Sequence, residues 1–69
     1  MKLSAKNQFK GKVISITKGV INGIVVIDIG GGNKITSTIS LQSIEELGLR
    51  EGKEAYAIIK ATSVMVGVD

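Results

Sequence analysis

Apolar and polar residues alternate with a period of two along much of the chain, the spacing of half-buried β-strands. The first such run, Phe9 to Thr17, is rich in β-branched residues and ends at Lys18-Gly19, where a glycine able to take positive φ predicts a turn. Val20 to Ile29 predicts a second strand, with Ile21, Val25, Ile27 and Ile29 on one face around Gly23 and Asn22, Ile24, Val26 and Asp28 on the other. Both faces of that strand are substantially apolar, more than one small core can cover, and this points to a subunit interface.

Gly30-Gly31-Gly32-Asn33 then reverses the chain. Three glycines invite comparison with a phosphate-cradling loop, but such loops run directly into a helix whose N-terminus faces the phosphate. Here the sequel Lys34-Ile35-Thr36-Ser37-Thr38-Ile39 is strand sequence, so the glycines are read as a hairpin turn. In this third strand Lys34, Thr36, Thr38 and Ser40 share one face, while Ile35, Ile39 and Leu41 share the other with Ser37 among them.

One short helix interrupts the pattern. Ser43 with Glu46 three residues on predicts a capping box, Gly48 a C-terminal stop, and Leu41, Ile44 and Leu47 are expected to face the sheet. Leu49 to Glu54 is a polar loop. Ala55 to Ala61 predicts a fourth strand and Val64 to Val68 a fifth, with Thr62-Ser63 between them. The result is a single all-β domain over residues 1–69, a small barrel with one helix.

Composition narrows what such a barrel can do. A chain of 69 residues buries only about 60% of the surface its unfolded form exposes, and with neither cysteine nor histidine to supply disulfides or a zinc site, oligomerisation is the expected supplement. No nucleophile and base pair is present, and the acidic residues Asp28, Glu45, Glu46, Glu51, Glu54 and Asp69 lack a ligand spacing, so neither catalysis nor cation binding is expected. The chain is read as a non-enzyme with no cofactor. No apolar run approaches the roughly 20 residues of a membrane span, and no signal peptide is evident, so a cytoplasmic protein without membrane contact is expected.

The net charge of +3 and a basic isoelectric point near 9.5 favour an anionic partner. A single-stranded nucleic acid on an OB-type barrel is the alternative reading, but Phe9 and Tyr56 are the only aromatic residues available for stacking, and no nucleic-acid partner is expected. A small oxyanion fits the donors better. Leu3 to Val13 carries a hydroxyl (Ser4), two amides (Asn7, Gln8) and the ammoniums of Lys6, Lys10 and Lys12 directly before and within the first strand. Ser40, Ser43 and Lys60 add further donors. Lys60 ends an apolar run on the face of Tyr56 and Ile58, where either a compensating anion or a stem reaching out to solvent accounts for it. A site made only of donors satisfies a fully deprotonated tetrahedral dianion, whereas hydrogenphosphate brings an O–H that finds no acceptor.

The motifs Ser4-Ala5-Lys6-Asn7-Gln8, Lys10-Gly11-Lys12-Val13, Gly32-Asn33-Lys34-Ile35-Thr36, Ser40-Leu41-Gln42-Ser43, Glu46-Leu47-Gly48, Glu51-Gly52 and Lys60-Ala61, in this order, resemble the molbindin (Mop) family within the Mop/TOBE domain group. These are small molybdate- and tungstate-binding proteins, and the module recurs in molybdate-responsive regulators and molybdate transporter ATPases. The resemblance implies an OB-like five-stranded β-barrel with strand exchange between subunits. It also implies a homo-hexamer, a trimer of dimers, that stores molybdate or tungstate between its subunits. The family's anion contacts fall on Ser4, the backbone of Ala5, Lys6, Ser40, Ser43, Lys60 and Ala61. The family often has arginine where this chain has Lys6, so a bidentate fork is replaced by a point charge.

Overall fold

The computed structural model describes residues 1–69. Four strands, β1 (Asn7–Lys18), β2 (Asn22–Gly30), β3 (Asn33–Ser40) and β4 (Glu54–Ile59), form one antiparallel sheet in the order β3-β2-β1-β4. A single α-helix, α1 (Leu41–Glu46), follows β3 directly, and a 3₁₀ turn, Ala61–Ser63, follows β4. The sheet curls into a half-barrel around a core of Val13, Val25, Ile27, Ile44 and Ala57.

Both hairpins at the ends of β2 follow from local chemistry. Gly31 (φ 63°) and Gly32 (φ 81°) form the β2–β3 turn, the pair of positive φ values that matches the twist of the flanking strands. Gly30 (φ 94°) sits at a register shift beside it, and its N–H donates to Asp28 Oδ1 at 2.9 Å. The reading of these glycines as a hairpin holds. The β1–β2 turn differs from expectation: Gly19 is not in the left-handed region, and its N–H donates to the Asn22 carbonyl at 2.8 Å. The turn therefore takes in Val20 and Ile21, which stand 95% and 74% exposed at its tip, and β2 begins at Asn22 rather than Val20.

Register is marked on the convex face by a row of alternating charge. Glu54 lies opposite Lys12, Lys12 opposite Asp28, and Asp28 opposite Lys34, so one level of all four strands reads minus, plus, minus, plus. A one-residue slip of any strand breaks that row and turns the strand's apolar side outward. The concave face carries Val25, Ile27, Ile35, Ala55, Ala57 and Ile59 around an apolar concavity of about 660 Å³.

The expected fifth strand is not formed. Val64 to Val68 makes no sheet pairing within the chain, and Met65, Val66 and Val68 are more than 90% exposed. The alternating sequence suits a strand, yet both sheet edges, β3 and β4, are left without a partner from this segment. The architecture of the single chain is thus a four-stranded half-barrel with one helix, not a closed five-stranded barrel.

Candidate functional site

The helix that follows β3 starts one turn earlier than expected. Ser40, with extended backbone (φ −67°, ψ 153°), is the N-cap, and its Oγ accepts the Ser43 backbone N–H at 3.0 Å. Ser43 is therefore the third residue of the helix rather than its cap, and Glu46 accepts from Gln42 Nε2 at 2.9 Å instead of closing a capping box. Ser40 Oγ also donates to Ser43 Oγ at 2.9 Å. One hydroxyl proton of the pair is spent between them, and the other is free to donate outward.

The far end of α1 is closed as firmly. Gly48 (φ 62°) donates to the Glu45 carbonyl at 3.0 Å and Leu49 to the Ile44 carbonyl at 3.0 Å, which is a Schellman motif with Gly48 in the left-handed position. Lys53 Nζ donates to the carbonyls of Leu47 at 2.8 Å and Gly48 at 3.1 Å, placing a cation at the helix C-terminus. Ile44 is buried and Leu41 packs against the core, but Leu47 is 60% exposed, contrary to its expected inward face.

The second group of expected donors lies on β1 and β4. Asn7 pairs with Ile59, so Ser4, Ala5 and Lys6, which lead into β1, adjoin Lys60 and Ala61, which leave β4. Two amides fix this corner: Asn7 Nδ2 donates to the Ile59 carbonyl at 3.2 Å, and Gln8 Nε2 to the Ala5 carbonyl at 2.7 Å. Their adjacency to the Ser4-Ala5-Lys6 motif was the available signal, although they serve the backbone here rather than a ligand. Lys60 is exposed at the N-cap of the 3₁₀ turn, and its side chain caps nothing. Of the two readings of Lys60, a stem reaching solvent describes the single chain.

The two groups do not meet within one chain. Lys6 and Lys60 mark the start of β1, whereas Ser40 lies opposite Asn22, beside the far end of β1 where Lys18 pairs with Gly23. At about 3.3 Å per residue, the eleven steps of β1 between those ends follow a path of roughly 36 Å. No hydrogen bond joins the two groups: the Ser40 and Ser43 hydroxyls bond to each other, and the amides beside Ser4-Ala5-Lys6 bond to the Ile59 and Ala5 carbonyls. The chemistry around them is donor-rich, and no cluster of three or more acidic, histidine or cysteine side chains stands anywhere in the fold.

A curled antiparallel half-barrel with one short helix, carrying its expected donors at two corners of one sheet, defines a small all-β domain. The sequence pattern of the TOBE domain matches residues 3–66. The chain is 68% identical over 69 residues to a probable molybdenum-pterin-binding protein of Haemophilus influenzae, each chain being covered in full. Among solved structures it resembles MopII from Clostridium pasteurianum at 55% identity with a TM-score of 0.92, covering 97% of this chain and 100% of that one. The cytoplasmic molybdate-binding protein ModG, solved with molybdate bound, superposes with a TM-score of 0.95 at 40% identity, over 100% of this chain and 49% of ModG. The chain belongs to the TOBE domain family and, within it, to the Mop proteins.

Proposed function

We propose that this protein is a non-catalytic molybdate-binding protein whose sites are shared between copies of the chain, each a single TOBE unit. The observation that carries the reading is the separation of its two donor groups, Ser4-Ala5-Lys6 with Lys60-Ala61 at one corner and Ser40 with Ser43 at the other. Docking one chain's first corner against another's second supplies hydroxyls, ammoniums and backbone amides with no acidic group among them. Such a set favours a dianion without an O–H, which is the state of molybdate and tungstate near neutrality.

The open apolar face supports assembly. The concavity of about 660 Å³ and the exposed Val64, Met65, Val66 and Val68 form apolar surface of the kind that marks an interaction site. Exchange of strand segments within dimers, and three dimers in a hexamer, is the assembly proposed. Storage of molybdate, or of tungstate, in the cytoplasm is the role proposed for it; no helix of the chain is long and apolar enough to cross a membrane. Nucleic-acid binding is disfavoured on geometry: Phe9 lies opposite Ala57 and Tyr56 opposite Lys10, which puts the two aromatic rings on opposite faces of the sheet with no shared stacking surface.

Isothermal titration of the protein with molybdate, tungstate, sulfate and phosphate tests the proposal. Binding of molybdate and tungstate with a clear preference over phosphate is expected. No heat with molybdate, or equal affinity for phosphate, contradicts it.

A further inference from the structure

Glycine in a strand interior weakens the strand unless something approaches too closely for a side chain. Gly23, near the start of β2, meets that condition: a Cβ there would lie 2.5 Å from Ile44 Cδ1, 3.4 Å from the Thr17 carbonyl oxygen and 3.5 Å from Leu41 Cδ2. Ile44 is the one buried side chain of α1, only 3% exposed, and it is the residue next to Ser43. Among the chain's glycines, Gly23 is the one whose Cβ would strike this helix. From this contact we infer that Gly23 is a positioning residue for the Ser40–Ser43 hydroxyl pair, an inference that rests on the oxyanion-site reading above.

The step from contact to position is geometric. Relieving the 2.5 Å approach requires a retreat of roughly 1 Å to reach ordinary packing distance. Ile44 belongs to the buried cluster with Val13, Val25, Ile27 and Ala57, so a turn of its Cδ1 about χ2 is made among packed neighbours, while χ1 of a β-branched residue on a helix has little freedom. The helix itself is the softer element, six residues long and anchored to the sheet through Ile44 and through the Leu41 N–H bond to the Ile21 carbonyl. Ser40 is held to the sheet by its pairing with Asn22 while Ser43 rides on the helix, so moving α1 outward strains the 3.0 Å Ser43 N–H to Ser40 Oγ bond and the 2.9 Å hydroxyl bond. The absent side chain at Gly23 thus sets how closely α1 sits on β2, and with it where the free hydroxyl proton points.

The test is a cycle of Gly23→Ala, Ile44→Val and the double variant, since Ile44→Val removes the very methyl that a Cβ at position 23 would meet. Molybdate affinity is read by titration at a temperature where each variant is folded, so that a loss of stability alone leaves it unchanged. Hydrogen exchange of the Ser43 amide is read without any anion. Gly23→Ala is expected to weaken molybdate binding about tenfold and to speed Ser43 exchange by a similar factor, with the double variant returning to within about threefold of Ile44→Val. A Gly23→Ala protein with unchanged affinity and a protected Ser43 amide overturns the inference, as does a double variant that binds or folds no better than the single one. If the unmodified protein fails to bind molybdate, the oxyanion reading falls, while the exchange measurement still decides whether Gly23 places Ser43.

Discussion

Ser40 Oγ and Ser43 Oγ stand 2.9 Å apart across the junction of β3 and α1, and only Ser40 also caps the helix. The two serines are therefore separable by mutation. Ser40→Ala removes the acceptor of the Ser43 N–H and is expected to cost about 1 kcal/mol, lowering the melting temperature by roughly 4–8 °C in a domain of this size. Ser43→Ala keeps the cap and places a good helix former at the third position, so its melting temperature should be nearly unchanged while molybdate affinity falls. Thermal denaturation at one fixed protein concentration, beside titration with molybdate, checks both.

Lys60 is exposed and caps nothing, so no contact within the chain explains it. Lys60→Ala should weaken molybdate binding about tenfold, the order expected for losing one charge-assisted hydrogen bond, and leave the oligomer intact. Titration combined with light scattering on a sizing column measures both properties. Dissociation of the oligomer with unchanged affinity would instead make Lys60 a structural residue.

Gly11 faces a harder constraint than Gly23. A Cβ at Gly11 would collide with the backbone carbonyl of Asp28 and approach Ile27 Cγ2 at 2.8 Å, and a carbonyl locked in a strand has nowhere to swing. Gly11→Ala should destabilise the protein by about 2 kcal/mol or more. Chemical denaturation reads the change, and a stability equal to that of the unmodified protein would contradict the close β1–β2 approach.

Lys53 closes the end of α1 opposite to the serines. Lys53→Met retains the aliphatic stem and removes the bonds to the Leu47 and Gly48 carbonyls, for an expected loss of about 0.5–1 kcal/mol. Because those carbonyls face solvent, water replaces part of what is lost. Raised salt should narrow the difference between Lys53→Met and the unmodified protein, and a difference independent of salt would argue against a helix-terminal charge effect.

The strands, the Gly30–Gly32 hairpin and the Gly48 stop were legible because each depends on local sequence: alternation, positive φ and the lack of a Cβ. The N-cap was not. Ser40 and Ser43 are both serines three residues ahead of a polar residue, and only the extended backbone at Ser40 decides between them. The fifth strand has the alternation of Val64, Val66 and Val68, but a strand also needs an edge to pair with, and that lies outside what alternation encodes. Gly23 was visible as a break in an apolar strand face, yet its reason is a tertiary contact with Ile44. The candidate site residues are recognisable in the sequence as donors one by one. That they divide into two corners at opposite ends of β1 required the strand register.

That division makes the central claim testable by complementation. One variant carries Ser40→Ala and Ser43→Ala, the other Lys6→Ala and Lys60→Ala, and each alone should bind molybdate poorly. Unfolded together and refolded as mixed oligomers, verified by native mass spectrometry, they should recover about a quarter of the unmodified number of sites, because an intact site then draws one sound corner from each kind of chain. Mixed oligomers that recover no binding would contradict sites shared between chains.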